Sequence, residues 1–293
     1  MKILISGIAG FIGSHIAELA VEQGYEIVGI DDLSTGNLRN LRSIEKHIEF
    51  YECDISVLSN VLFHAFKNVD YVIHQAAKIA VLDSNELMAD YHCTNVTGTF
   101  NILNLSKFHK VKRVVLASSC AMQGDSFYGM TKLINEQYAK WFNKNGLETV
   151  CLRYQNVYGP RQDSCVMPKF IRTLIKGESP IIYGDGFQTR DFIYVKDIAK
   201  ANLIALKQPS IGGRYFDIAS GEVTTIWQIY DRIQGILGVY IPPLYMPRPE
   251  GEIVNVIPRI YQLQLGWKPE TALETGLIET VNYYKHLYSD GKI

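Results

Sequence analysis

Tyr128 and Lys132 stand four residues apart in Tyr128-Gly129-Met130-Thr131-Lys132, and Ser118-Ser119 close the apolar run that precedes them. On a helix, that spacing puts the phenol and the ammonium on one face. A free phenol ionises near pH 10, so one that takes a proton at neutral pH needs about three units of help, or about 4 kcal/mol in favour of phenolate. A cation about 4 Å away, at an effective dielectric of about 20, contributes a comparable amount. Ser119, at a strand's end, would hydrogen-bond the reacting hydroxyl and help move its proton. The same Tyr and Lys spacing also arises by chance on solvated helices, so the surroundings decide.

Those surroundings read as a nucleotide-binding sheet. An apolar run, Ile3 to Ile5, stops at Gly7-Ile8-Ala9-Gly10-Phe11-Ile12-Gly13, after which Ile12, Ile16, Leu19 and Ala20 recur at helical spacing until Gly24. Strand, tight turn and helix follow from that pattern. Gly7, Gly10 and Gly13 permit the turn, let the backbone approach a diphosphate and bring helix against strand. Free N–H groups at the helix start, around Phe11 and Ile12, face the anion. A second apolar run, Ile27 to Ile30, ends in Asp31-Asp32, where a carboxylate would accept bonds from an adenosine ribose and repel a 2′-phosphate. NAD is therefore expected rather than NADP, with Asp31 preferred over Asp32 because it directly follows the strand. Ser34, Thr35 and Gly36 form a turn beside the adenosine. The plain alternative, a glycine-rich turn without a ligand, has the flanking strand, helix and acid against it.

The chain has 293 residues, 47% of them apolar, which suffices for one large domain or two smaller ones. Its net charge is −1, and Lys110, Lys112 and Arg113 make only a short basic cluster, so no nucleic-acid footprint is expected. The five cysteines are scattered, without disulfide or metal-ligand spacing, which predicts reduced thiols, a cytoplasmic location and no metal. The glycines that interrupt the first apolar run exclude a secretory signal, and no stretch of eighteen apolar residues predicts a membrane span.

Further along, Ile48 and Phe50 alternate toward Cys53-Asp54, and Val57, Leu58, Val61, Leu62 and Ala65 share one helical face. Tyr71 to Ile73 gives a buried strand closed by His74-Gln75-Ala76-Ala77, whose small residues suit close approach of a ligand at that sheet edge. His74 itself reads as a core or supporting histidine. A long helix is expected from Asn85 to His109, with Val96, Phe100 and Leu103 as its apolar stripe and Asn95 either bonding backbone near the site or solvated. Val114 to Ala117 leads into Ser118-Ser119, and the Tyr128 helix continues its apolar pattern through Leu133, Ile134 and Tyr138. Alternating strands and helices predict an α/β fold, a Rossmann-type doubly wound parallel sheet. Later elements are expected at Thr149 to Tyr154, Pro168 to Lys176, Ile181 to Tyr183, Phe192 to Val195, Asp197 to Leu206 and Leu273 to Tyr288, the last with Leu277, Val281 and Tyr284 at core spacing. The sheet domain is expected over residues 1–158 plus 187–212, with a smaller, interleaved α/β C-terminal substrate domain over 159–186 plus 213–293.

Along nearly its whole length the chain resembles the extended short-chain dehydrogenase/reductase superfamily, and within it nucleotide-sugar 4-epimerases of the UDP-glucose/UDP-N-acetylglucosamine type. The resemblance rests on the glycine loop, Asp31 with Leu33-Ser34-Thr35-Gly36, Asp54-Ile55, His74-Gln75-Ala76-Ala77, Ser118-Ser119, Tyr128 with Lys132, the run Arg153 to Arg161, and Gly184-Asp185-Gly186 through Asp197. It implies a resident NAD and a UDP-hexose that is oxidised at carbon 4, turned over as a 4-keto sugar and reduced on its other face, with Tyr128 as base. It also places Asp54, Ile55, Gln75, Ala76, Ala77 and Asn95 beside the cofactor. Arg190 and Arg248 are assigned to the substrate diphosphate, which suits their planar forks. Asn156 is assigned to the sugar or diphosphate, and Val166 and Tyr183 to the nucleobase. Relatives dimerise by pairing the Asn95-region helix with the Tyr128 helix, so a homodimer is expected.

Some positions depart from that family. Cys120 and Met122-Gln123-Gly124 replace its usual residues after the serines, and the segments after Gly124 and after Gln162 are short. Asp217 stands where an amide is common, a change read as peripheral. Near Asn255 and Val256 a non-aromatic gatekeeper predicts tolerance of N-acetylhexosamines, although the extra residue in Pro249-Glu250-Gly251 shifts that alignment. The nearest rival is a 4,6-dehydratase or decarboxylase on the same scaffold, but Cys120-Ala121 follow Ser119 where such relatives place carboxylates. A dinucleotide-binding regulator without turnover is the rival from another class, and the intact Ser119, Tyr128 and Lys132 weigh against it.

Overall fold

The structure is a computed structural model that describes residues 1–81, 83–123, 126–248 and 263–291. The N-terminal half alternates Lys2–Ser6 (β1), Phe11–Glu22 (α1), Glu26–Asp31 (β2), Ile48–Glu52 (β3), Asn60–Ala65 (α2), Tyr71–His74 (β4), Met88–Tyr91 (α3), Gly98–Phe108 (α4), Arg113–Ser119 (β5), Phe127–Lys144 (α5) and Glu148–Tyr154 (β6). Then come Asn156–Tyr158 (β7), Val166–Ile175 (α6), Ile181–Tyr183 (β8), Thr189–Tyr194 (β9), Val195–Lys207 (α7), Arg214–Ile218 (β10), Val223–Thr225 (β11), Ile226–Leu237 (α8), Leu244–Met246 (β12) and Leu273–Ser289 (α9).

Among the described residues a seven-stranded sheet runs in the order β10-β6-β5-β4-β1-β2-β3, every neighbouring pair parallel. Strands β1, β2, β4 and β5 carry apolar runs rather than alternations, as a sheet covered on both faces requires, while the edge strands β3 and β10 mix in charged residues. Leu4, Val28, Val72, Val114 and Cys151 from five strands join Leu62, Ile102, Leu103 and Phe142 from the helices in one core. The order reverses between β1 and β4, where a doubly wound sheet opens a crevice at its carboxyl edge. This is the expected fold.

The chain divides into two compact units, at other points than expected. The larger holds Met1–Tyr154, Ile198–Ile218 and the described part of 261–268; the smaller holds 155–197 and the described residues of 219–260 and 269–293. β10, expected in the substrate domain, completes the large sheet against β6, with Phe216, Asp217 and Ile218 buried. β9, expected with the sheet domain, instead joins β7 and β11 in a three-stranded sheet of the smaller unit. That unit has its own core of Phe170, Ile171, Ile229, Ile233, Leu277 and Val281 from α6, α8 and α9. Its helix α8 opens with a capping box between Thr225 and Gln228.

Three helix expectations change. Ser59 caps α2 by accepting from Leu62 N, so the helix starts only at Asn60, and Val57, Leu58 and Val61 are exposed while Leu62 and Ala65 are buried. The helix expected from Asn85 starts at Met88 and contains a π-helical segment, His92–Thr97, because Asn85 is used elsewhere as a cap. Helix α5 buries Ala139 and Phe142 as an amphipathic helix should, but on the same side it also buries Thr131, Lys132 and Asn135, while Met130, Leu133 and Trp141 are exposed. Partners inside the larger unit hold its polar side. Among the described residues no helix is long and apolar enough to cross a membrane, and all five cysteines are free thiols.

Candidate active site

The loop after β1 is built for an approaching backbone or anion. Gly7 has φ +70°, and a Cβ there would stand 2.7 Å from Ala76 N; at Gly13 a Cβ would collide with the Gly7 carbonyl oxygen. No larger side chain fits either place, so α1 begins at once with Gly10 as its cap and no side-chain hydrogen bond at that cap. The N–H groups of the first turn, from Phe11 and Ile12, thus have no intrahelical acceptor, and the helix terminus favours negative charge. Asp31 ends β2 and is buried; its carboxylate accepts from Ala9 N and Leu33 N, both at 2.9 Å, so it fixes the loop as well as marking the ribose position. Burial pushes its carboxyl above the usual range. Asp32 is exposed and accepts from Ser34 N and Oγ, and Gly36 lies so near Asp31 that a Cβ would reach within 2.5 Å of Oδ1. Thr35 is exposed on the same turn. At the next strand end Asp54 is exposed and accepts from Ser56 N, whereas the Ile55 side chain is buried. Gln75, half-buried, bonds Tyr154 and Asn202; Ala76 and Ala77 follow it, Ala76 against Gly7. These features fit a dinucleotide.

Tyr128 lies in the first turn of α5 and is nearly buried. That turn is capped three times over: Asn85 Oδ1 accepts from Phe127 N at 2.9 Å, Ser84 Oγ from Tyr128 N at 3.1 Å, and Ser126 Oγ from Gly129 N at 3.1 Å. The Lys132 ammonium sits 5.7 Å from the Tyr128 ring centroid and donates to Ala117 O at 3.0 Å, which anchors it to the end of β5. Ser119 ends that strand and accepts from Ala121 N. Burial pushes the Lys132 ammonium down to about 8 from its usual 10.5. It is therefore mostly protonated at neutral pH, and the cation is lost as pH rises through that value. We expect kcat/KM to fall on the alkaline side with an apparent pKa of about 8. A profile flat to pH 10 would remove Lys132 as the required cation.

Behind this pair runs a buried polar chain. Thr99 Oγ1 donates to Asn95 O at 2.5 Å, so it accepts from His74 Nε2 at 2.9 Å, and His74 Nδ1 accepts from Ser6 Oγ at 2.6 Å. Asn95, read from sequence as either bonding backbone near the site or solvated, is fully buried and does the former: it accepts from Lys78 N and donates to Lys78 O, and it also donates to Thr131 Oγ1. Thr131 passes the contact to Tyr128 O at 2.7 Å, and Asn135 donates to Asn95 O at 2.9 Å. The chain thus ties the residue before the glycine loop to the Tyr128 helix. Burial pushes the His74 imidazole down to about 3 from 6.5. An unfolded His74 takes up a proton below about 6.5, whereas the folded one stays neutral to about 3. Its contribution is present above the higher value and is lost as pH falls between the two. Urea unfolding should show about 2 kcal/mol lost from this group between pH 7.5 and pH 5, and His74→Gln should flatten that slope.

The substrate-side residues lie in the smaller unit. β8 pairs with β12 so that Tyr183 stands opposite Met246, and two residues on Arg248 reaches Asp185 at 3.2 Å and packs over Gly184. Tyr183 and Arg248 are thus brought together. Arg190 is on β9, in the three-stranded sheet, where its Nη1 donates to Thr189 O. Asn156 is exposed on β7 and Val166 is the first residue of α6. Gly124, Asp125, Pro249-Glu250-Gly251, Asn255 and Val256 lie outside the described residues, as does any reading of the gatekeeper. Sequence reading missed Ser84, Asn85 and Thr131; the polar run Asp83-Ser84-Asn85, three residues with strong capping preference, was the available signal.

A putative UDP-glucose 4-epimerase of Methanocaldococcus jannaschii is 39% identical over 306 residues, covering 97% of this chain and 98% of that protein. A UDP-N-acetyl-alpha-D-glucosaminuronate decarboxylase of Bacillus cytotoxicus is 31% identical, covering 99% of each. Among solved structures, the UDP-glucose 4-epimerase of Thermotoga maritima with UDP-glucose superposes with a TM-score of 0.93 at 32% identity, covering 98% of this chain and all of that one. The sequence profile that describes NAD dependent epimerases and dehydratases matches residues 3–219, the stretch that carries the glycine loop, Ser119, Tyr128 and Lys132, and the chain belongs to the NAD dependent epimerase/dehydratase family.

Proposed function

We propose that the protein is an NAD-dependent 4-epimerase of a UDP-hexose, working through a transient 4-keto sugar. The observation that carries this reading is the Lys132 ammonium held 5.7 Å from the Tyr128 ring centroid and bonded to the end of the strand that ends in Ser119. When bound, NAD supplies the hydride chemistry at carbon 4. The Tyr128 oxygen takes the proton of the 4-hydroxyl and returns it after the sugar has turned. Lys132 holds the charge that makes that oxygen basic, and Ser119 hydrogen-bonds the reacting hydroxyl. Gly7, Gly10, Gly13 and the start of α1 take the dinucleotide diphosphate, with Asp31 at its ribose. Arg190 and Arg248 take the diphosphate of the sugar nucleotide, Asn156 its sugar end, and Tyr183 and Val166 its base. Five free thiols support a cytoplasmic setting. The division into a sheet domain and an interleaved substrate domain follows the two units.

A dehydratase or decarboxylase needs further acid and base groups beside Ser119. Cys120 and Ala121 supply neither. NMR of UDP-hexoses incubated with the protein and no added reductant tests the choice. Inversion at carbon 4 is the expected result; a deoxysugar or a pentose product would overturn it, and no turnover of any UDP-hexose would revive the regulator. We also propose a homodimer through α4 and α5, because Phe100, Met130, Leu133 and Trp141 are each at least 42% exposed on those helices. Sedimentation should give twice the chain mass.

A further inference from the structure

Helix α5 meets the end of β5 at a second point, one turn beyond Lys132. Glu136 Oε1 accepts from Ser118 Oγ at 2.6 Å and from Arg153 Nε at 2.8 Å, while Oε2 accepts from Arg153 Nη2 at 2.7 Å. The pairing is bidentate, the strongest geometry a carboxylate and a guanidinium adopt. It is also buried, with side-chain exposures of 14% for Arg153 and 9% for Glu136. Arg153 stands opposite Ser118 across β5 and β6, and opposite Asp217 across β6 and β10. Its guanidinium lies 3.5 Å from the Tyr215 ring centroid and 4.0 Å from Asp217 Oδ1. One carboxylate on the helix is therefore tied to three adjacent strands.

We propose that Glu136 is a positioning residue for the proton-transfer pair, an inference that rests on the epimerase reading above. Lys132 and Glu136 lie on one face of α5 and bind consecutive residues of β5, Ala117 through its carbonyl and Ser118 through its hydroxyl. Ser119 is the next residue. Two anchors one turn apart fix both the height and the rotation of the helix along the strand, which a single lysine hydrogen bond does not. The separation of Tyr128 from Ser119 is set by that register. Arg153 offsets the charge of Glu136, so the effect is one of geometry rather than of added negative potential. Asp217, read from sequence as peripheral, belongs to this clamp through Arg153.

The other end of β5 supplies the control. Arg113, itself buried, donates to Ala205 O at 2.6 Å, Gln208 O at 2.8 Å and the half-exposed Glu148 at 2.7 Å, an arginine anchor at the strand's start, six residues from Ser119. Glu136→Gln and the milder Ser118→Ala are compared with Arg113→Lys in the NAD-loaded enzyme, at matched fraction folded. Two readouts are used: kcat and KM for the UDP-hexose, and the phenolate absorbance of Tyr128, taken as the difference from Tyr128→Phe across pH. Displacement of a reacting group by about 1 Å costs about a hundredfold in rate. Glu136→Gln is expected to lose about that much in kcat, with KM within about twofold and the Tyr128 titration moved up from that of the wild type. Ser118→Ala should move the same way by less, and Arg113→Lys should lower Tm alone. If Glu136→Gln and Ser118→Ala titrate and turn over like Arg113→Lys, the inference falls while the epimerase reading stands. A wild-type enzyme that turns over no UDP-hexose overturns both.

Discussion

Replacing Tyr128 by Phe should lower turnover of the UDP-hexose by about a thousandfold and leave NAD bound. Removal of a positioned acid–base group costs about two to four orders of magnitude. Phe keeps the ring against which the Lys132 ammonium sits, 5.7 Å from its centroid, and keeps the backbone that Ser84 and Asn85 cap. Only the phenolic oxygen is lost. The glycine loop and Asp31, proposed to take the dinucleotide's diphosphate and ribose, are untouched by the change, so nucleotide released on denaturation should match wild type. Turnover within about tenfold of wild type would mean that another group moves the proton, and the assignment of Tyr128 would fail.

Gly13→Ala should have the larger effect on the cofactor. A Cβ at Gly13 meets the Gly7 carbonyl oxygen and approaches Ile8 Cα at 3.0 Å, both backbone atoms that no rotamer change can clear. Either α1 moves away from β1 or the turn opens, and both misdirect the N–H groups of the first helical turn. An overpacking strain of about 3 kcal/mol corresponds to about a hundredfold in affinity. Isothermal titration with NAD on apoprotein, alongside Tm, measures the change. Gly24→Ala is the comparison: Gly24 has φ +77° but nothing within 4 Å of a Cβ, so it should cost stability and leave NAD affinity alone.

The parallel sheet and its glycine loop were legible because their residues are dictated locally. Apolar runs such as Ile3 to Ile5 and Val114 to Ala117 have no use except in a strand covered on both faces, and Gly13 tolerates no substitute where it sits. The Tyr128 and Lys132 pair was legible in spacing but not in surroundings. What holds it comes from residues far along the chain: Ser84 and Asn85 cap α5, and Asn95 reaches it through Thr131. The apolar pattern expected through Leu133 fails for the same reason. Leu133 has the stronger claim to burial by hydrophobicity, yet Asn135 is buried because Asn95 O, within the π-helical turn, accepts its amide. The exchange of β9 and β10 between the units was likewise invisible, since a strand of five or six residues carries no mark of which sheet it will join.

The place of β10 bears on how the chain is made. β6 ends at Tyr154 and its outer neighbour spans Arg214–Ile218, so a ribosome must add about sixty residues before that edge is covered. Through that interval a nascent chain presents the bare hydrogen-bonding side of β6, with Asp217, which faces Arg153 in the finished sheet, still unsynthesised and the apolar Val150 and Leu152 flanking the opening. Such an edge invites pairing with another chain. Translation that stalls within the intervening helices, or a fragment cut before Arg214, should consequently collect in inclusion bodies, whereas a fragment carried through Ile218 closes its own sheet.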